Sequence, residues 1–259
     1  MKKRFLLFLS LSQFLFFFTA AEVKAQQNYD FAQFGSETYK FIQKPFSWDK
    51  TDILTAGGII LGTAILMQAD EPVKDKMMED RSCENKGLMR FGTIYGDAVP
   101  HIILGAGLLA HGYLCGDIST KRFGFEIAQA LTYTGAVTII LKGIIGRGRP
   151  SAVDDAFTFS PFALSKGDQY QSLPSGHSSV AFAMSTVFAS KFKNGWLKAL
   201  CYTPAFITAF SRVYNNRHWF SDVFLGAFIG HFIGRYVVDL HDGPIEINGS
   251  SSLSINLRI

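Results

Sequence analysis

The stretch Ser211-Arg-Val-Tyr-Asn-Asn-Arg-His-Trp-Phe-Ser-Asp222 sets two arginines, a histidine and an aspartate between two strongly apolar segments. If the run after Asn216 is helical, His218 and Asp222 lie four residues apart on one face. The carboxylate then accepts a proton from one imidazole nitrogen and orients the other. A nucleophilic histidine is prepared in this way. Arg212, at the end of the preceding apolar segment, offers planar, forked donors that match phosphate oxygens. The same residues also fit a plainer arrangement, a surface loop between two helices in which the His–Asp pair only stabilises the second helix.

Two further stretches bear on that choice. KGIIGRGRP, residues 142–150, follows an apolar run and places Lys142, Arg147 and Arg149 within nine residues, with glycines that allow close backbone approach. By itself it also fits a basic cluster at the end of a membrane helix. LPSGHSSV, residues 173–180, sets Pro-Ser-Gly ahead of another apolar helix with His177 in its first turn. Free N–H groups and the positive dipole end make such a helix start an anion site. A polar residue satisfied by its neighbours is equally at home there.

Taken together, the three stretches resemble the signature of the type 2 phosphatidic acid phosphatase superfamily, which also includes bacterial nonspecific acid phosphatases and vanadium haloperoxidases. That pattern is Lys, six residues, Arg-Pro; then Pro-Ser-Gly-His; then Ser-Arg, five residues, His, three residues, Asp. Lys142, Arg149, Pro150, Pro174, Ser175, Gly176, His177, Ser211, Arg212, His218 and Asp222 occupy every position of it. The match runs from Lys142 to Asp222, and the helices from about Phe125 to Val238 suit the family core. The first hundred residues carry no signature.

The resemblance implies an all-α, antiparallel bundle of about six apolar helices. The apolar segments are read at Ile53–Met67, Ala98–Leu114, Phe125–Ile145, Ser178–Phe192, Leu197–Phe210 and Phe220–Val238. Most have helical length and are rich in Ala, Gly, Leu and Ile. The three motifs sit at the end of the third segment, the start of the fourth, and between the fifth and sixth. An antiparallel bundle brings those points to one pole, because each helix pair returns the chain.

Phosphoryl transfer supplies roles for the residues gathered there. Negative charge spreads over three equatorial oxygens, so Lys142, Arg149 and Arg212, with backbone N–H groups at Ser175 and Gly176, are the expected phosphate cradle. His218 is the expected nucleophile, giving a phosphohistidine, and Asp222 its orienting partner. His177 protonates the leaving oxygen and then activates water. The resemblance implies the same roles at the matching positions. No cofactor or metal is expected: the cations replace a metal clamp, and neither H-x-x-x-H nor Cys-x-x-Cys occurs.

The rest of the chain bounds the reading. Its 259 residues suit one compact domain with appendages. A 48% hydrophobic content with 25 phenylalanines favours a large apolar core, while a mean hydropathy of +0.17 is modest for a protein made mostly of membrane spans. A net charge of +4 arises from scattered Lys and Arg, without the basic run or basic-aromatic interleaving of a nucleic-acid binder. Cys83, Cys115 and Cys201 are too few and too scattered for a disulfide framework.

Residues 1–25 read as a secretory signal: MKKR, an apolar run, then an exit at Val23-Lys24-Ala25. Residues 26–50 form an aromatic, amphipathic lead-in. Residues 51–240 form the phosphatidic acid phosphatase type 2-like domain, and 241–259 a tail that either frays or closes as a hairpin about Asn248-Gly249. Asp70 to Arg90 reads as a solvated loop or polar helix, and Ser151 to Gln171 as a long loop shaping access to the site.

The function expected from these features is metal-independent hydrolysis of a phosphomonoester or diphosphate, of a phosphorylated lipid (phosphatidate, polyprenyl diphosphate or lipid A type) or of a small phosphoester. The alternatives are a periplasmic nonspecific acid phosphatase, a vanadium-dependent haloperoxidase holding vanadate in the same cradle, and a non-catalytic membrane protein. The expected location is the inner membrane of a bacterial envelope with the site facing the periplasm; the alternative is a soluble periplasmic domain. Several segments are short for a bilayer, which takes roughly 20 residues, and they contain His101, His111, Gln129 and His231. The oligomeric state is left open.

Overall fold

The computed structural model describes residues 28–79, 86–162 and 167–242. The expected signal and the tail beyond residue 242 lie outside the described residues. Residues Tyr29–Gly243 group as one unit. The fold is all-α, and its helices are α1 (Phe31–Gln43), α2 (Lys50–Leu66), α3 (Asp70–Glu79), α4 (Lys86–Tyr95), α5 (Ala98–Cys115), α6 (Ile118–Ile145), α7 (Gly176–Ala189), α8 (Gly195–Cys201), α9 (Thr203–Tyr214) and α10 (Phe220–His241). Among the described residues the single extended pairing is an isolated antiparallel bridge between Arg147 and Phe159.

Local chemistry sets the helix ends. Asp49, Asp97, Asp117, Ser175 and Asn194 each cap a helix through the side chain, accepting from backbone N–H groups of the first turn. Helix α6 stops at Gly146, whose φ of +61° is the left-handed conformation that glycine adopts without a Cβ penalty. The apolar segment expected at Leu197–Phe210 is divided into α8 and α9 at Tyr202. Pro204, in the first turn of α9, has no N–H to continue the helix behind it.

Helix α7 lies at the centre of the bundle, with ten of its 14 residues buried. Its partner α10 approaches so closely that a Cβ at Gly230 would stand 2.0 Å from the carbonyl oxygen of Ser179, and Gly226 and Gly234 face Ser175 and Ala183 in the same way. This G-x-x-x-G-x-x-x-G stripe gains its stability from backbone-to-backbone contact, which small residues allow between apolar helices. Ile127, Ala130, Tyr133, Ala183, Met184, Val187, Ile233, Val237 and Val238 complete the core between α6, α7 and α10.

The outer helices are apolar where they face away from the bundle. Ile53, Leu54, Ile60, Leu61 and Ile65 of α2, and Val99, Ile102, Ile103 and Leu104 of α5, are all exposed. Four helical stretches, Lys50–Glu79, Ala98–Cys115, Ile118–Ile145 and Phe220–His241, are long and apolar enough to cross a membrane. The polar residues that weakened this reading in the sequence mostly point inward. His101 Nε2 meets the Tyr95 carbonyl at 2.7 Å, and Gln129 lies buried against Glu37 and Tyr133. His231 Nδ1 meets Thr186 and Tyr202.

Residues 26–50 show no clear period, yet Phe31–Gln43 is a helix capped by Asp30. The period is masked because aromatic residues occupy both faces. Phe41 stacks on Tyr133 at 4.4 Å on the inner side, while Phe31 and Tyr39 are exposed on the outer. Glu37 accepts from Gln129 Nε2 at 2.7 Å and lies 3.1 Å from His241 Nε2. These contacts hold α1 to the early part of α6 and the end of α10. At 1.5 Å per residue, Gln129 lies about 20 Å along α6 from Lys142.

Candidate active site

A cavity of about 490 Å³ opens at the pole formed by the end of α6, the start of α7 and the α9–α10 connection. Its walls include Lys142, Arg149, Gly176, His177, Arg212 and His218, so six of the eight residues expected in the site converge on one space. The other two, Ser175 and Asp222, are fully buried just behind it.

His218 lies before the helix, because α10 begins at Phe220 rather than just after Asn216. The turn is made by Asn216 at φ +55°, and the His218 N–H returns to the Arg212 carbonyl at 3.3 Å. Its Nδ1 meets the Ser172 carbonyl at 2.9 Å, whereas Asp222 Oδ2 stands 3.6 Å away, beyond hydrogen-bond reach. The expected direct His–Asp hydrogen bond is thus replaced by a backbone carbonyl with a carboxylate charge close behind. A carbonyl can only accept, so Nδ1 carries the proton and Nε2 is the lone-pair nitrogen. Nε2 faces Arg149 Nη1 at 3.4 Å. Burial, reinforced by Lys142 and Arg149 and opposed by Asp222, pushes the His218 imidazole down to about 3.

The cations are held by backbone oxygens and one acid. Lys142 Nζ donates to the Gln171 carbonyl. Arg149 donates to Asp168 Oδ1 at 2.6 Å, to the Asp168 carbonyl at 2.8 Å and to the Arg217 carbonyl at 3.1 Å. Arg212 reaches Thr93 at 3.4 Å, and its buried Nε has no hydrogen-bond partner. A guanidinium donor at the wall of a cationic cavity suits a phosphate oxygen.

His177, in the first turn of α7, lines the cavity. Burial, with Arg212 beside it, pushes its imidazole down to about 4, against the pull of Asp97. The Ser175 N–H, expected to face phosphate, is instead donated to the Asp222 carbonyl at 3.0 Å. Of the two backbone positions expected in the cradle, Gly176 is the one on the cavity wall.

Residues 123–244 match the model of the PAP2 superfamily. Over that stretch the chain is similar to the PAP2 superfamily. It is 44% identical over 63 residues to a lipid A 1-phosphatase of Porphyromonas gingivalis, a stretch covering 24% of this chain and 14% of that protein. It is 34% identical over 110 residues to a lipid A 1-phosphatase of Rhizobium etli, covering 40% of this chain and 44% of that one. The chain therefore spans less than half the length of the curated relatives it matches. The crystal structure of a transmembrane PAP2-type phosphatidylglycerolphosphate phosphatase from Bacillus subtilis shares the fold, with a TM-score of 0.52 and 23% identity over 71% of this chain and 94% of that one.

Several residues of this pocket escaped the motifs. Gly96, Asp97 and Ala98 line it from the α4–α5 junction, ahead of the matched stretch. Ser172, which falls between the expected access loop and the second motif, supplies the carbonyl against His218 and donates its hydroxyl to Asp222. Arg147 was noted as one of three clustered cations, but it is fully buried and donates to Asp222 Oδ1 and Asp70 Oδ2, each at 2.7 Å. Asp70, read as part of a solvated stretch, is only 1% exposed because it partners Arg147 and Ser221. A lone acid in a charged stretch gives no sequence signal of that burial.

Proposed function

We propose that this chain is a phosphatase that removes a phosphate from a phosphorylated lipid, as a phosphomonoester or diphosphate, through a phosphohistidine at His218. The observation that carries the proposal is the state of His218: its Nδ1 proton is given to the Ser172 carbonyl, and its Nε2 lone pair is left in a cavity walled by Lys142, Arg149 and Arg212. A neutral imidazole beside three cations is arranged to attack an anionic phosphorus centre.

In the first step the His218 Nε2 lone pair forms a bond to phosphorus, and the bond from phosphorus to the leaving oxygen breaks. That oxygen takes a proton from His177. Burial and Arg212 favour the neutral form of His177. A bound phosphate offsets the cations and restores its proton. In the second step His177 takes a proton from water, the water oxygen bonds to phosphorus, and the phosphorus–nitrogen bond breaks. Phosphate is then released and His218 restored. Lys142, Arg149 and Arg212, with the Gly176 backbone, hold the charge throughout. Asp222 stabilises the positive charge that develops on the His218 ring.

A lipid rather than a small phosphoester is supported by the mixed wall of the cavity, where Ala98, Ile139 and Val180 stand beside the cations, and by the named activity of the lipid A relatives. The membrane-length helices make the inner membrane the natural location, with the pocket on the periplasmic side. The test is phosphate release from lipid A 1-phosphate, phosphatidate and a polyprenyl diphosphate in mixed micelles, against glucose 6-phosphate. A kcat/KM at least about 100-fold higher on one of the lipids is expected. Equal turnover of glucose 6-phosphate would reject the lipid assignment.

A further inference from the structure

Three charged side chains outside the cavity, Asp70, Arg147 and Asp222, are removed from solvent together. Burying charges is costly even when they are paired, and apolar packing would join the same elements at no such cost. The arrangement is nevertheless complete. Arg147 donates from Nε and Nη2 to the Ala156 carbonyl, from Nη2 to Asp70 Oδ2, and from Nη1 to Ser221 Oγ and Asp222 Oδ1. Asp70 in turn accepts from the Ser221 N–H at 2.8 Å and from the Ser221 hydroxyl.

This network meets the seat of His218 on two sides. With Oδ1 of Asp222 on Arg147, Oδ2 is left to accept from the Trp219 N–H at 2.9 Å and the Ser172 hydroxyl, and to face His218 Nδ1. The Arg147 backbone carbonyl also accepts the Ser172 N–H at 3.0 Å, and Ser172 presents the carbonyl that takes the His218 proton. One arginine therefore fixes both acceptors that face Nδ1. Asp70 divides the pull on that arginine, and without its charge the guanidinium draws on Asp222 alone.

We propose that Asp70 of α3, acting through Arg147, is a positioning residue for His218, an inference that rests on the phosphatase reading. It brings the first third of the chain, outside the motifs, into control of the nucleophile's orientation. The effect belongs to turnover rather than to binding, because Lys142, Arg149 and Arg212 do not depend on it.

The test compares Asp70→Asn, Arg147→Gln and the double variant in the full chain, reading kcat, KM, inhibition by orthovanadate, and the 15N shifts of the His218 ring. Asp70→Asn is expected to lower kcat about 10- to 100-fold, the scale of a misplaced reacting group. KM and the vanadate inhibition constant should each change less than about threefold, and the Nδ1–H form of His218 should give way to a mixture of tautomers. The double variant should be no worse than Arg147→Gln alone, since residues acting in series do not multiply their losses. An unchanged kcat per folded molecule, a parallel rise in KM, or multiplied losses would overturn the proposal. If Asp70→Asn does not fold, Ser221→Ala, which removes the hydroxyl shared by Asp70 and Arg147, must show the same kcat-selective loss. If the wild type releases no phosphate, the phosphatase reading falls by itself. The His218 ring shifts still decide the positioning claim, and an unchanged tautomer in Asp70→Asn would end it.

Discussion

His177 and His218 lie in the same cavity but are assigned opposite tasks, and leaving-group dependence separates them. If His177 supplies the proton to the leaving oxygen, His177→Ala should lower turnover of alkyl phosphates about 10²- to 10⁴-fold. Turnover of p-nitrophenyl phosphate, whose leaving group needs no proton, should fall less than about tenfold. Equal losses on both substrates would remove His177 from that role. His218 carries a second, thermodynamic signature. Its folded-state value is pushed from 6.5 down to about 3 by burial, with Lys142 and Arg149 adding to the effect. The unfolded chain therefore binds a proton between pH 6.5 and 3 that the folded chain does not, so the stability present above pH 6.5 is lost as the pH falls through that window. Thermal unfolding in detergent should show wild type losing more stability than His218→Asn between pH 7 and 4, and parallel losses would contradict the burial argument. These two histidines were legible because fixed spacings place them beside arginines. Ser172 was not, because it acts through a backbone carbonyl and a buried hydroxyl, and neither depends on a recognisable pattern.

Helices α7 and α10 deliver those residues, and their contact is set by backbone distance rather than by side-chain volume. Gly230→Ala would drive a Cβ to 2.0 Å from the Ser179 carbonyl, which only a separation of the helices can relieve. A loss of about 1–3 kcal/mol or more is expected, the scale of overpacking. Activity should fall with it, because Ser175 at the head of α7 is tied to Asp222 of α10 by a backbone hydrogen bond. Gly57→Ala on α2, where nothing stands within 4 Å, is the control and should leave the melting temperature unchanged or raise it. An equal effect of both substitutions would show that the stripe does not set the packing. The apolar runs made the helices legible, whereas their ends are set by caps such as Asp97 and Ser175, which the apolar pattern does not mark. The burial of Asp70 at the start of α3 was not legible, since Asp70-Glu-Pro-Val-Lys-Asp-Lys looks solvated and, past its first residue, mostly is; only the pairing with Arg147 takes Asp70 out of solvent.

Over the whole molecule, the chain passes between the two poles three times, along α2, α5 and α6, between α1 and Lys142. The contacts of α1 with Gln129 and His241 put it at the pole away from the cavity. In a membrane-spanning bundle, α1 and the pocket therefore face opposite sides, so a periplasmic pocket requires a cytoplasmic α1. A secretory signal that carried residue 26 outward would invert both. Single cysteines at Asn28 and Asp154, in a background without native cysteines, read this directly. With the pocket outside, an impermeant thiol reagent should label only Asp154→Cys in intact cells with a permeabilised outer membrane. Labelling of Asn28→Cys alone would place the pocket in the cytoplasm, and labelling of both would contradict the crossing count. In the proposed mechanism one nitrogen, His218 Nε2, takes the phosphoryl group. Rapid acid-free quench of the full-length protein with phosphorus-labelled substrate, followed by peptide mapping, tests this most directly. A phosphate that is stable to base, labile to acid and carried on the peptide containing His218 is the predicted result; a wild type that turns over substrate with no label on that peptide, and a His218→Ala variant that stays active, would contradict it.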